Sequence, residues 1–301
     1  MLLSWYRPFE VFTLSLILIG PLHYFTEISW LDKRNYFAFS RSQFWLFIPI
    51  SFFITIGGLN RASPINQYAV SLLFGCFVYA FFSIRIPNLL KNLAVYFVAV
   101  AIAHISGMDM QPYFIITFAV LLPTILHVLV FTFLFMIAGV KKNPLLSGFV
   151  SLAVFLGCTV LLLVLNPFKN VNEPGHFYMD FYKNMASLNK VLSDLLHIGR
   201  INQPSEVFSG DAPYRIMSLI SFAYLYHYLN WFSKTEVIGW HKVSKKRLIF
   251  IFALWIATVG LYLMDHKTGI NVILYLSLLH VLLEFPLNAL SLKQVFTSGA
   301  K

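Results

Sequence analysis

Long apolar runs follow one another along almost the whole chain, and they limit what it can fold into. Nine of them are long enough to be membrane-spanning helices, with approximate bounds 9–27, 43–59, 66–86, 88–106, 112–139, 145–166, 213–233, 247–264 and 270–292. At about 1.5 Å per residue, helices of these lengths cross an apolar core of about 30 Å with some tilt. We therefore predict an all-α polytopic membrane bundle of about nine helices.

The composition agrees with this class. Of 301 residues, 58% are hydrophobic and only 11% are charged, whereas a soluble domain carries about 25% charged residues. The net charge is +10, but the basic residues lie mostly between apolar runs, which is a topology signal rather than a nucleic-acid surface. Cys76 and Cys158 lie inside apolar runs and outside any CxxC or CxxH pattern, which argues against thiolate metal binding and disulfide chemistry.

The orientation follows from the lysines and arginines. With nine spans, most of them fall on the side shared by the odd-numbered loops and the C-terminus. The positive-inside rule then places the N-terminus outside and the C-terminus in the cytoplasm, and we expect a bacterial inner membrane. The N-terminal stretch lacks the basic region and cleavage site of a signal peptide, so the first run is expected to be a retained helix.

We expect residues 1–301 to form a single transmembrane domain with one sizeable connection outside the membrane, at 167–212. Within this connection, apolar residues recur at helical spacing in MASLNKVLSDLLHIG, and Gly199 follows as a C-cap. The pattern predicts an amphipathic helix on the outer membrane surface. A lid over a substrate entrance is the functional alternative.

The histidines inside the spans are the most informative polar residues. Four of them lie in odd-numbered spans, which all run in the same direction: His23, His127, His227 and His280. Counted from the outer start of each span, these histidines and Glu284 lie at depths of about 15–22 Å. They are therefore expected in one layer of the inner half of the bilayer. His104 lies instead near the outer surface, next to Asp109, where we expect it to cap a helix end.

Three of these histidines have an oxygen-bearing side chain on the same helix face. Residues three or four apart are neighbours on a helix surface. The pairs are His23 with Glu27 in PLHYFTEISW, His280 with Glu284, and His227 with Asn230 in YLYHYLNW. Pro123 precedes His127 by four residues, and a kink there would free a backbone carbonyl.

Imidazoles and carboxylates together are ligands that hold iron while leaving positions open for oxygen and substrate. Carboxylates next to ligating histidines orient the rings and raise their basicity. We therefore predict a metal site with non-haem iron as the favoured ion. The predicted metal ligands are His23, His127, His227 and His280, and the predicted catalytic residues are Glu27, Glu284 and Asn230. Structural packing, a haem, and a proton or ion pathway remain alternatives.

The segment LHYFTE resembles the first histidine motif of the Brp/Blh-type membrane β-carotene dioxygenases, where a histidine precedes an acid by four on an early helix. Members of that family are polytopic bundles of about this length that hold one iron through histidines on separate helices. The resemblance implies His23, His127, His227 and His280 as iron ligands. The glycine that follows the first histidine in that family is Tyr24 here.

The sequence as a whole predicts a membrane-embedded, metal-dependent oxidoreductase or oxygenase. Its substrate would be an apolar lipid or isoprenoid that reaches the site from the bilayer. Tyr24, Tyr226 and Tyr228 are candidates to line the pocket. The alternatives are a transporter coupled to protons or ions through the same histidines and glutamates, and a haem-binding membrane protein.

Overall fold

The computed structural model describes residues 1–34, 42–59, 66–83, 85–86, 88–167, 174–183, 185–235 and 238–297. In this part of the chain the regular structure is helical, with no strand. After a short helix at Leu2–Tyr6, the main helices are α1 Pro8–Lys33, α2 Ser42–Leu59, α3 Asn66–Ser83, α4 Leu89–Ile105, α5 Pro112–Lys142, α6 Leu146–Val164, α7 His176–Lys183, α8 Ala186–Leu195, α9 Asp211–Ser233, α10 Lys245–Met264 and α11 His266–Thr297.

A helix lies at each of the nine predicted spans, but their membrane character differs. Six helices are long and apolar enough to cross a membrane, namely α1, α3, α5, α6, α10 and α11. Helices α2 and α4 contain shorter apolar segments, Trp45–Gly57 and Leu89–Ile105. Helix α9 belongs to neither group, because its serines, tyrosines, His227 and Asn230 lower its hydropathy. The described residues are thus all-helical and include six candidate membrane spans, which is consistent with an integral membrane protein, and the nine spans and their orientation stay predictions.

Some predicted features lie outside the described residues. They are residue 84 of the third span, residues 168–173 and 184 of the long connection, and the basic residues Arg41 and Lys301.

The chain forms two compact units. Unit 1 comprises Met1–Ile19 and Thr124–Asn230, and unit 2 comprises Gly20–Pro123 and Trp231–Lys301. The three boundaries between them fall inside helices α1, α5 and α9.

Unit 1 has an aromatic core. The second half of α5 packs on α6, and Met136, Phe155 and Leu162 are buried together with Trp5 and Phe222. Helix α7 packs on the first turns of α1, where edge-to-face aromatic contacts join Tyr182 to Phe9 and Phe12.

Helix α8 is the predicted amphipathic helix, and it lies in unit 1. Leu188 and Leu192 are buried within the protein, while Leu195 is exposed. The predicted C-cap is wrong. The helix ends at Leu195, before the position that a cap at Gly199 requires, and His197 takes the left-handed conformation at φ 52°. The backbone provides the local reason, because the amides of His197 and Ile198 donate to the carbonyls of Asp194 at 3.4 Å and Ser193 at 3.2 Å, which closes the helix with His197 in the left-handed position.

Unit 2 is organised around α11. This helix packs against the Gly20–Lys33 half of α1 and against α2, α3 and α10. Arg247 at the start of α10 fixes the end of α1, since its guanidinium donates to the Asp32 carboxylate at 2.8 Å and to the Ser29 carbonyl at 3.0 Å. The indole of Trp30 donates to the carbonyl of Ile238 at 2.8 Å. These bonds hold in place the segment of α1 that carries His23 and Glu27.

Candidate metal-binding site

The first half of the site lies on one face of α1. His23 and Glu27 are one helical turn apart, and Nε2 of His23 lies 2.9 Å from a carboxyl oxygen of Glu27. Their side chains are only 1% and 3% exposed. With the proton on Nε2 donated to the carboxylate, Nδ1 keeps the lone pair that a metal ion needs. A histidine bound in this way to a carboxylate is a common arrangement in metal sites.

The second half lies on α11. The His280 ring centre is 5.4 Å from that of His23, and one nitrogen of each ring lies within 4.8 Å of the other. Two nitrogens bound to one ion at about 2.1 Å each are separated by at most about 4.2 Å. A small ring rotation would therefore place both nitrogens on one ion.

Glu284 follows His280 by one turn and is 3% exposed. Its carboxyl interacts electrostatically with that of Glu27, so the two acidic groups lie near each other. Helices α1 and α11 thus bring two imidazoles and two carboxyls into one buried cluster within unit 2. We call His23, Glu27, His280 and Glu284 the α1–α11 cluster, and it is a possible metal-binding site.

Two aromatic residues restrain the imidazoles. Tyr24 is fully buried and stacks on His280, with ring centres 4.2 Å apart and planes 24° apart. Trp231 contacts His23 edge-on at 5.5 Å, and its indole donates to the Thr26 hydroxyl at 3.1 Å. These contacts restrict the imidazoles to small rotations, which favours a nearly preformed ligand set.

Sequence reasoning missed three residues around this cluster: Thr26, Trp231 and Asn288. Asn288 could have been identified from the sequence, because it is an amide one turn beyond Glu284 on a strongly apolar helix. In the structure its side chain is buried. The role of Trp231 had no such signal, because its contacts with α1 join residues about 200 positions apart.

A second pair of histidines lies in unit 1. The ring centres of His127 and His227 are 4.9 Å apart, and both side chains are buried. Nδ1 of His227 and the Thr132 hydroxyl form a hydrogen bond of 2.8 Å. His127 lies in a π-helical stretch of α5, Ile116–Phe131, which contains Pro123. Such wide turns occur often at functional sites.

The other predicted residues have plainer surroundings. Asn230 is half-buried and follows His227 by three positions on α9. Tyr226 packs in the core of unit 1, where its hydroxyl lies 3.6 Å from the sulfur of Met136. Tyr228 is buried on the same helix. Their roles as catalytic or pocket-lining residues stay predictions, and so does the binding of one ion by all four histidines.

His104 has a different partner. Its Nδ1 lies 2.7 Å from the Asp109 carboxylate, at the end of α4. The predicted role of His104 as a cap of the helix end stays a prediction.

No family model, no curated protein and no solved structure matches this chain. The resemblance to the Brp/Blh-type dioxygenases therefore stays a prediction.

Proposed function

We propose that this protein is an integral-membrane, metal-dependent oxidoreductase or oxygenase, with its ion held by the α1–α11 cluster. The observation that carries the proposal is the cluster itself. Two imidazoles and two carboxyls, each at most 3% exposed, converge from two packed helices of a membrane protein.

A cation fits this donor set. Two carboxylates buried near each other repel, and an ionised group without a counter-charge is very costly in an apolar medium. A divalent ion would neutralise both carboxylates and accept the lone pairs of His23 and His280. Two imidazoles with a carboxylate are the ligand set of non-haem iron oxygenases, which leaves positions open. When bound, iron would supply the activation of oxygen beside the substrate.

The residues of the chain have separable tasks in this proposal. His23 and His280 bind the ion, Glu27 orients the His23 ring, and Glu284 adds negative charge next to the ion. Tyr24 and Trp231 hold the two rings.

The proposed substrate is an apolar lipid or isoprenoid, because such a molecule reaches a site inside the bilayer without crossing water. Carotenoids are one class among these, suggested by the LHYFTE resemblance. The proposed topology has nine spans, an outer N-terminus and a cytoplasmic C-terminus, in a bacterial inner membrane.

Metal analysis of the purified protein tests the proposal. After anaerobic loading with Fe²⁺ and removal of free ions, we expect about one metal ion per chain in wild type. His23→Ala and His280→Ala each remove a ligand, so the metal content should fall steeply. His104→Ala is the matched control, because His104 pairs with Asp109 and should leave the metal content unchanged. Applied to His127→Ala and His227→Ala, the same measurement tests the prediction of four histidine ligands.

Four results would contradict the proposal. Wild type could fail to retain metal, or both ligand variants could retain as much as wild type. Haem absorption in the purified protein would assign the histidines to a haem. Proton-coupled uptake into liposomes by metal-free protein would favour the transporter instead.

A further inference from the structure

Helix α11 carries a buried polar stripe that extends beyond the α1–α11 cluster. At about 100° per residue, its four members fall within an arc of about 80°. Each is at most 7% exposed. They are His280, Glu284, Asn288 and Ser291. Polar side chains on a membrane-spanning helix are costly in free energy unless polar partners or water form hydrogen bonds with them.

Asn288 is the member whose surroundings are least complete. Its side chain is close enough to the Glu284 carboxyl to interact with it. Neither amide atom of Asn288, however, makes a hydrogen bond of full geometry within the described part of the chain. The contact between Asn288 and Glu284 is therefore loose. An unsatisfied buried polar group costs about 1–3 kcal/mol. Polar residues inside membranes usually face a partner or a water-filled cavity.

The stripe leads to the end of the apolar span. Ser291 is buried, whereas Lys293, two residues later, is exposed and ends the candidate span. From Lys293 to Glu284 the helix rises about 13 Å, and Asn288 lies near the middle of this distance. Two polar side chains therefore bridge the interval between the exposed Lys293 and the α1–α11 cluster.

We propose that Asn288 and Ser291 line a narrow hydrated path that carries water and protons between the Lys293 end of α11 and the α1–α11 cluster. The role of this path, to supply a metal site with water and protons, rests on the proposed function. The path itself is a separate property, because water in it is detectable without any metal.

Cysteine accessibility tests the path. In a background with Cys76→Ala and Cys158→Ala, the variants Asn288→Cys and Ser291→Cys are reconstituted in liposomes and treated with a hydrophilic, membrane-impermeant thiol reagent. Ala289→Cys is the matched control, because Ala289 is buried at nearly the same depth but lies about 100° away from Asn288 around the helix. Such reagents attack the thiolate, which water stabilises and apolar surroundings disfavour.

We expect Asn288→Cys and Ser291→Cys to react at least about tenfold faster than Ala289→Cys. A thiol whose pKa is lower by one unit has about ten times more thiolate at a pH below its pKa, and the rate follows the thiolate population. If Asn288→Cys does not fold, the comparison of Ser291→Cys with Ala289→Cys decides. Equal rates for the stripe and the control would overturn the proposal. Fast labelling in a protein that fails the metal assay would retain the path and reject the metal function. Metal binding without fast labelling of the stripe would retain the metal function and reject the path.

Discussion

Asp109 shows at the scale of one residue how this chain satisfies a buried charge at a helix end. Its carboxylate accepts a hydrogen bond of 2.7 Å from the Ser71 hydroxyl and lies 2.7 Å from Nδ1 of His104. Burial raises the pKa of this carboxyl, but the bonds from His104 and Ser71 outweigh it, so the pKa lies below its ordinary value. Asp109 thus joins helices α3 and α4 through a charged group.

Asp109→Asn should lower the stability of the protein at neutral pH. Because the pKa of Asp109 is lower in the folded protein, its charge stabilises the fold above the unfolded pKa of about 3.9, and this contribution disappears as the pH falls through the folded pKa. A hydrogen bond to a charged group contributes about 1.5–3 kcal/mol. The thermal unfolding temperature in detergent should therefore be lower for the variant at neutral pH, and the difference should shrink in acid.

Asp180→Asn is the control for this measurement. Asp180 is exposed and pairs with Lys183 on the surface of α7, and such pairs contribute little. A difference between wild type and Asp109→Asn that stays constant down to acid pH would contradict the assigned role of the charge.

At the scale of elements, the α10–α11 hairpin depends on one glycine. A Cβ atom on Gly269 would lie 2.2 Å from Cα of Tyr262, which is far inside contact distance. The two helices approach this closely only because position 269 has no side chain. Helix α11 carries His280 and Glu284, so this approach helps to position half of the α1–α11 cluster.

Gly269→Ala should destabilise the hairpin. The added methyl group meets backbone rather than a flexible side chain, so the helices must separate, and overpacking of this kind costs about 1–3 kcal/mol or more. Gly260→Ala on α10 is the matched control, because nothing lies within 4 Å of a Cβ there. Alanine is the better helix former by about 1 kcal/mol, so the control should be neutral or stabilised. Thermal unfolding in detergent compares the two, and equal unfolding temperatures would show that the close approach is not required.

At the scale of the whole molecule, the number of membrane crossings decides which side each terminus occupies. Within the described residues six helices satisfy the length and hydropathy of a span, and the sequence predicts nine crossings. An odd number places the termini on opposite sides of the membrane. Helix α9 matters most here, because it carries His227 and its hydropathy does not identify it as a span.

Epitope tags at the two termini test the topology. We expect an N-terminal tag to be accessible from outside intact cells and a C-terminal tag only after the membrane is opened. A third tag in the 167–212 connection should behave like the N-terminal one. Accessibility of both termini from the same side would show an even number of crossings and would remove the basis of the common histidine depth.

Features that depend on residues close together along the chain could be predicted from the sequence. Apolar runs identified the all-helical membrane class and the position of a helix at each predicted span. Helical spacing put His23 beside Glu27, because residues four apart share a face whatever the rest of the chain does. The predicted C-cap at Gly199 was wrong because His197, a residue that seldom takes the left-handed conformation, already closes the helix through backbone bonds to Ser193 and Asp194.

Which helices meet is visible in the folded protein and not in the sequence. The stacking of Tyr24 on His280, the bond from Trp231 to Thr26 and the bond from Ser71 to Asp109 all join distant segments. Hydropathy cannot predict these partners, because lipid tails are as apolar as the side chains that face another helix. Helix pairing depends instead on the shapes of packed surfaces and on a few buried polar contacts. These are properties of two helices together, so neither segment encodes them alone.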